Sequence, residues 1–457
     1  MIPIAGTPVL TAAQMRAAEN AAIAAGTSVD TLMQAAGAGI ADAVRRLAGV
    51  NDVLILCGPG NNGGDGYVAA ARLHAAGRKV RVAAASEPRS PAAIAARALW
   101  TGAVEPLASA APAAVLVDAL FGTGLSRALD AVSSSALNHL VRQANLAIAV
   151  DVPSGVSTDD GMVFCDVPTF HITLALGAMK PAHLLQPAAA RCGAVRVIPI
   201  GVETDSATHV IARPDFPAPP VDAHKFTRGM VAVVRGRMAG AAHLAARAAM
   251  HAGAGYVELL GATIPGTPNA LVRRRCDAEA LADKRIGAVL IGPGLGRDDD
   301  ARALLDQALA TDHPLVIDGD ALHLVTPERL RERAAPLILT PHAGEFAALF
   351  GAFTGSKLEA ARAAAARAGA TIVFKGPDTV IAAPDGQAVL AGEASSWLST
   401  AGTGDVLAGA IAAMLAGGQS PLDAAAAGVW LHGEAARRLG PAFIADDLAT
   451  ALTGARA

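Results

Sequence analysis

The chain predicts an α/β fold made of two doubly wound domains in tandem, and three observations carry that expectation. Short, almost wholly apolar runs such as Val53-Leu54-Ile55-Leu56-Cys57 alternate with alanine-rich stretches of helical length. Nearly every run ends in glycine or an acid, as in Asp118, Asp151 and Gly292-Pro293-Gly294-Leu295-Gly296. A proline-rich break, Arg213 to Asp222, interrupts the pattern once, after which it starts again. Alternating strand and helix builds a parallel sheet with helices on both faces, and the loops leaving the carboxyl ends of its strands share one rim.

Composition narrows the function classes. With 457 residues, the chain exceeds one ordinary core. Hydrophobic residues make up 53%, charged residues 17% and aromatic residues 3%, so the core is built from Ala, Val, Leu and Ile and the chain is not a disordered one. A net charge of -3 and a pI near 6.5 leave no basic footprint for nucleic acid. Cys57, Cys165, Cys192 and Cys276 lie far apart, which argues against a disulfide framework or a zinc site and fits a reducing cytoplasm. Met1 to Val9 has neither a basic segment nor a long apolar run, and apolar runs elsewhere are interrupted, so no signal peptide and no membrane span are expected.

In chain order, Leu10 to Ala48 reads as a pair of helices, with Thr11 and Asp30 at their starts. Val53 to Cys57 is a buried-type strand, followed by a glycine loop from Gly58 to Gly66 and a helix from Tyr67 to Ala76. Further strands are expected at Lys79 to Ala84, Val115 to Asp118, Leu146 to Val150, Ile172 to Leu176 and Ala194 to Ile200. Asn61 to Asp65, Asp118 and Asp151 therefore converge on one edge. Domain boundaries follow as residues 1–213, a linker at 214–222, and 223–457. In the second half, strands are expected at Met230 to Val234, Tyr256 to Leu260, Ala288 to Ile291, Leu315 to Asp318, Leu337 to Leu339 and Thr371 to Phe374. Lys375-Gly376 then opens a hairpin.

Several rim loops carry chemistry. Gly58-Pro59-Gly60-Asn61-Asn62-Gly63 matches the dinucleotide pattern, but the Asn pair and Asp65 are polar where that fingerprint is small, and no ribose-binding acid ends the next strand. Asp118 and Asp151 could cap the next element, hold a cation with Asn62 and Ser154, or do acid/base work. His342 and Glu345 stand in a Pro-His-Ala-Gly-Glu loop at a strand end, and Lys375 suits a nucleotide phosphate. In Gly402-Thr403-Gly404-Asp405, the glycines expose amides at the start of a helix expected from Val406 to Leu415, a place that favours phosphate. A carboxylate there repels such a ligand unless it takes a proton from a hydroxyl attacking phosphorus; the plainer reading is that Asp405 supports the first helical turn.

Together these stretches resemble the bifunctional NAD(P)H-hydrate repair enzymes over nearly the whole chain. Gly58 to Gly66, Asp118-Ala119-Leu120-Phe121-Gly122-Thr123-Gly124-Leu125 and Asp151-Val152-Pro153-Ser154-Gly155 are similar to signatures of the epimerase domain. His224-Lys225, Gly253-Ala254-Gly255, Gly292 to Gly296, Pro341 to Glu345, Lys375-Gly376 and Gly402 to Asp405 are similar to those of the ADP/ATP-dependent dehydratase. The resemblance implies a Rossmann-like three-layer sandwich followed by a ribokinase-like domain. It implies that Asn61, Asn62, Gly63, Gly64, Asp65, Gly122, Thr123, Gly124, Leu125, Ser126, Arg127, Ala128 and Asp151 line the hydrated nucleotide, and that Asn62, Asp118 and Ser154 bind potassium. Asp151, with Asp118, would move protons during inversion at C6. In the second domain Ala241, Gly296, His342 and Asp405 would contact the hydrate, while Lys375, Gly376, Pro377, Asp378, Thr379 and Gly404 would hold ADP or ATP with magnesium. Asp405 would activate the C6 hydroxyl for phosphorylation. The implied partners are hydrated NADH and NADPH, ADP or ATP, and further copies of the chain, with no nucleic acid and no membrane.

Two departures stand out. Arg235 to Gly240 is shorter than the family's glycine-rich loop, and Glu393 to Leu398 replaces a segment of Asn-Pro-Gly-Met type. Two competing readings remain at this point. One is a ribokinase-like kinase for a small alcohol, with the first half as an accessory. The other makes that half a nucleotide-binding scaffold, which needs neither Asp118 nor Asp151.

Overall fold

The computed structural model describes residues 2–262, 268–392 and 394–457. The chain divides into two compact units, Met1–Val210 and Ile211–Ala457. Each is described by itself.

The first unit opens with helices Ala12–Ala24 and Val29–Leu47, capped by the side chains of Thr11 and Ser28. Its strands are β1 (Val53–Cys57), β2 (Val80–Ala84), β3 (Val104–Pro106), β4 (Val115–Ala119), β5 (Leu146–Val150), β6 (Ile172–Leu176) and β7 (Ala194–Ile198). They lie in the order β3-β2-β1-β4-β5-β6-β7, all parallel. A short strand β8 (Thr208–Val210) ends the unit. The five residues of β1 are all buried, as are those of β4, because helices cover both faces and leave no solvent side to alternate with. The register sets Leu56 beside Asp118 and Asp118 beside Ala149, so the loops after β1, β4 and β5 leave one edge together. The strand order reverses between β1 and β4, which opens a crevice at that edge.

The second unit contains β9 (Met230–Val234), β10 (Tyr256–Leu260), β11 (Val272–Arg274), β12 (Ala288–Ile291), β13 (Leu315–Ile317), β14 (Leu337–Leu339), β15 (Thr371–Phe374), β16 (Thr379–Ala382) and β17 (Ala388–Ala391). Within this unit the order runs β11-β10-β9-β12-β13-β14-β15-β16-β17. Pairing is parallel as far as β15 and antiparallel through the two hairpins beyond it. Here the order reverses between β9 and β12. Helix Thr403–Ala416 is buried from Val406 to Leu415 and packs on helix Ala239–His251. A Cβ at Gly409 would meet the Ala245 carbonyl oxygen at 2.1 Å, so only glycine allows this approach. Each Leu or Ile enclosed in this core contributes roughly 1.5–3 kcal/mol of gross burial energy.

Element boundaries differ from expectation at two glycine-rich starts. The helix expected from Tyr67 begins at Asn61, and the one expected from Val406 begins at Thr403. Gly60 and Gly402 are their caps, neither with a side-chain bond, so the first N–H groups of each helix face outward unpaired by a cap. The short strands β3 and β11 were not anticipated.

Candidate active sites

In the first unit, a cavity of about 590 Å³ opens at the crevice between β1 and β4. Its walls include Asn61, Asn62 and Asp65 from the start of helix Asn61–Ala75, Gly122 to Leu125 from the loop after β4, and Asp151 from the loop after β5. Backbone contact fixes these loops. A Cβ at Gly58 would lie 1.7 Å from the Leu120 carbonyl oxygen, and one at Gly63 would lie 1.9 Å from that of Gly58. Ser90 Oγ donates to Asn61 Oδ1 at 2.6 Å.

Asp151 adopts φ +67°, a conformation costly for a residue with a Cβ, and its surroundings hold it there. Its backbone N–H donates to Leu174 O at 2.8 Å, and its own carbonyl meets His183 Nε2 at 2.7 Å. Because His183 Nδ1 accepts from Lys180 N at 3.0 Å, Nε2 carries the hydrogen. Burial pushes the His183 pKa down to about 4, so the ring stays a neutral prop at neutral pH. The carboxylate accepts from Thr123 N at 3.1 Å, from Leu176 N at 3.4 Å and from the fully buried Lys180 ammonium. Burial alone would raise the Asp151 pKa; the Lys180 charge and hydrogen bond outweigh it and hold the carboxyl below its usual value.

Asp118 sits differently. It is fully buried, does not line the cavity, and accepts from Leu120 N at 3.1 Å, Ser154 N at 3.0 Å and Ser154 Oγ at 2.8 Å. Burial lifts its pKa to about 6 against those bonds. Through these bonds Asp118 braces the loops after β4 and β5. Gly63 and Gly64 are buried in the first helical turn, where Gly64 makes room for Met33. Of the implied contact stretch, Gly122 to Leu125 line the cavity, while Ser126, Arg127 and Ala128 are exposed and lie outside that lining. Lys180 and His183 were missed by sequence reasoning, as were Arg16 and Glu19 on helix Ala12–Ala24, which wall the cavity from the other side. A signal existed for the first two, since they follow β6 at the same edge as Asp151.

In the second unit, Gly402 takes φ +88° and turns the chain into helix Thr403–Ala416, with Asp405 in its first turn. Burial, reinforced by Asp318 and opposed by Lys375, lifts the Asp405 pKa to about 6. Lys375 Nζ donates to Asp318 Oδ1 at 2.8 Å, lies 3.9 Å from Glu345 Oε2, and comes within 3.5 Å of where a Cβ on Gly404 would be. One ammonium thus faces three carboxyl groups, Asp318, Glu345 and Asp405. Thr340 Oγ1 donates to Asp318 Oδ1 at 2.6 Å. His342 caps helix Ala343–Phe350: Nδ1 accepts from Gly344 N at 2.9 Å and Glu345 N at 3.2 Å, while Glu345 Oε2 accepts from His342 N at 2.8 Å. The His342 side chain is largely exposed, and its Nε2 lies 3.4 Å from Glu345 Oε1.

The loops after β9 and β12 are tied together by Met238 N donating to Gly294 O at 2.8 Å and Arg237 N to Leu295 O at 3.2 Å. Ala241 consequently stands over Gly294, while Gly296 N is anchored on Asp320 Oδ2 at 3.0 Å. A Cβ on Gly402 would lie 2.7 Å from Leu244, which sets the Asp405 turn beside the start of helix Ala239–His251. In the turn between β15 and β16, Asp378 faces inward: Lys357 Nζ donates to its Oδ1 at 2.8 Å and approaches Lys375 O at 3.5 Å. Gly376 and Pro377 are exposed, and Thr379 Oγ1 donates to Gly376 O at 3.3 Å. Asp378 thus shapes the turn. Asp318, Lys357 and His432 were not singled out from sequence; His432 Nε2 meets Thr403 O at 2.9 Å from below the Asp405 turn. Of the altered segment before Ser399, Glu393 lies outside the described residues and Trp397 is half-exposed. No helix among the described residues is long and apolar enough to cross a membrane.

Comparison with known proteins covers both units. Residues 29–182 match the family of the YjeF-related protein N-terminus, and residues 231–455 match the NAD(P)H-hydrate dehydratase family. The bifunctional NAD(P)H-hydrate repair enzyme of Salinibacter ruber is 35% identical over 95% of this chain and 92% of its own length. The enzyme of the same name from Thermofilum pendens is 35% identical over 89% of this chain and 87% of its own. Among solved structures, the ADP/ATP-dependent NAD(P)H-hydrate dehydratase of Bacillus subtilis, co-crystallized with ATP/Mg2+, is 31% identical with a TM-score of 0.47, covering 52% of this chain and 93% of that one. Family models and relatives at 35% identity cover both halves, and the chain belongs to the bifunctional NAD(P)H-hydrate repair enzymes.

Proposed function

We propose that the chain interconverts the R and S forms of hydrated NADH and NADPH at C6 and dehydrates the S form to NAD(P)H at the expense of ADP or ATP. Inversion is assigned to residues 1–213, dehydration to 223–457, with 214–222 as the link. What carries the reading is that each unit presents a carboxyl of perturbed pKa at its switch point, Asp151 and Asp405, in a chain whose relatives match across both. The small-alcohol kinase reading gives no role to the pinned Asp151 and is set aside.

In the dehydratase unit, Asp405 takes the proton of the C6 hydroxyl while that oxygen attacks the terminal phosphoryl group of the nucleotide. Lys375, already between Asp318 and Glu345, offsets charge on the phosphoryl oxygens, and the N–H groups after Gly402 receive them. The phosphate ester leaves C6 as a proton leaves C5, which restores the ring double bond. The turn from Lys375 to Thr379, braced by Lys357, supports the nucleotide, and Ala241, Gly296 and the exposed His342 border the hydrate. Magnesium bound with the nucleotide would neutralise charge on its phosphates.

In the epimerase unit, the oxygens of Asn62, Asp118 and Ser154 form a donor set suited to a hard cation such as potassium. Support comes from Ser154 Oγ, 2.8 Å from Asp118 Oδ1 and 3.2 Å from Phe121 O, and from the Asn62 amide, whose buried Nδ2 has no hydrogen-bond partner among the described residues. Such a cation would stiffen the loop that presents Gly122 and Thr123. Free cysteines at all four positions support a reducing cytoplasm, and assembly with further copies would be read by light scattering. Asp405→Asn is the test of the dehydratase assignment: loss of NADH formation with R/S interconversion intact supports it, and retained NADH formation overturns it.

A further inference from the structure

The cavity of the first unit contains a second carboxyl, Asp65, that lines the substrate space and has no part yet in the proton movements. Asp65 lies one turn into helix Asn61–Ala75, is 8% exposed, and lines the same cavity as Asp151. The two acids are treated in opposite ways. Asp151 is met by the Lys180 ammonium and by the N–H groups of Thr123 and Leu176. Against the Asp65 carboxyl no donor and no cation is set among the described residues; its charged neighbours are Asp151 and Glu19. From the elements around it come Arg16 and Glu19 on helix Ala12–Ala24, Asp151 after β5, and Lys180 and His183 after β6. Of these, Lys180 and His183 are committed to Asp151.

We infer that the Asp65 carboxyl is the proton donor of the C6 inversion and the Asp151 carboxylate its proton acceptor, with Lys180 and His183 as positioning residues that keep Asp151 ionised and aimed. This rests on the epimerase reading above and names the acid within it. Burial, then the charges of Asp151 and Glu19, push the Asp65 pKa well above its usual value, whereas Lys180 holds that of Asp151 below its own. Two carboxyls driven apart in this manner are how one pocket obtains an acid and a base at the same pH.

The chemistry balances with water alone. Carbon C6 bears a hydroxyl and is bonded to N1, which carries a lone pair. Asp65 gives its proton to the hydroxyl as the C6–O bond breaks, N1 forms a double bond to C6, and water departs. Water then adds to the other face of C6 and gives a proton to Asp151, while the double bond returns its electrons to N1. The proton passes from Asp151 back to Asp65 before the next turnover. Neither oxidant nor metal takes part.

The experiment uses the full chain and purified R hydrate, with R and S separated by chromatography. Asp65→Asn should lower kcat for interconversion by about 100-fold or more while KM stays within about threefold. It should also remove the alkaline fall in the kcat profile, which reports ionisation of the acid. Asp65→Glu should restore at least about tenfold of the loss, together with that fall. In water enriched in oxygen-18, each inversion should place solvent oxygen on C6. Raised KM with unchanged kcat would make Asp65 a binding residue and overturn the inference, as would retained oxygen-16 at C6. If Asp65→Asn does not fold, the wild-type profile decides: a kcat that never falls toward high pH also overturns it. A wild-type chain that fails to interconvert R and S would instead remove the epimerase reading itself, so the two failures are distinguishable.

Discussion

Asp405 and Asp151 are both rim acids next to a lysine, and burial raises the pKa of each; the lysine decides how far. Lys180 is committed to Asp151, so that carboxyl ends below its usual value. Lys375 is shared with Asp318 and Glu345, and Asp405 stays near 6. A base with that pKa must be ionised to work, so kcat/KM for dehydration should fall about tenfold per unit below about pH 6 and level off above it, a profile measured with S hydrate at saturating nucleotide. A profile flat down to pH 4.5, roughly the ordinary carboxylate range, would mean another group is the base. For Asp151 the depressed pKa implies stability that is present above the unfolded value and lost as pH falls through the folded one. Lys180→Met leaves a buried carboxylate unpaired and should cost the first unit about 3–5 kcal/mol in denaturant unfolding. A loss under about 1 kcal/mol would mean that Asp151 simply takes up a proton.

At the scale of elements, glycine spacing does the positioning. A Cβ at Gly122 would lie 2.9 Å from Asp151 Oδ2 and 3.0 Å from Asn62 Oδ1, so Gly122→Ala should push the acid and the amide apart and lower inversion kcat by about 100-fold with the fold intact. Gly409→Ala should separate helix Thr403–Ala416 from helix Ala239–His251, cost about 1–3 kcal/mol, and slow dehydration because Asp405 and Ala241 ride on those two helices. The parallel strands were legible in the sequence because burial on both faces writes them as continuous apolar runs. The helix starts at Asn61 and Thr403 were not, since glycines there read as breakers although they admit a ligand to uncapped N–H groups. Strands β3 and β11 are three residues each at the sheet margins, too short to leave a pattern.

For the whole molecule, what the sequence could not place are partners brought in by long-range register. Asp151, Asp405 and Asp65 announce themselves in glycine-rich loops, but nothing local marks Lys180 as the cation under Asp151 or Asp318 as the acid under Lys375. Those pairings exist only once β5 lies beside β6, and β14 lies between β13 and β15. Asp118 is likewise met by the N–H and the hydroxyl of Ser154, a pairing that nothing beside it in the sequence marks. Two sites on one chain make a division of labour that can be read separately. Asp151→Asn should convert the S half of a hydrate mixture promptly and the R half only at the spontaneous rate of inversion. The central claim is tested most directly by supplying wild-type protein with a mixture of R and S hydrates and ADP or ATP, and following the near-ultraviolet absorbance of NADH. Complete conversion of both forms is the expected result; pure S hydrate left untouched with either nucleotide would contradict it.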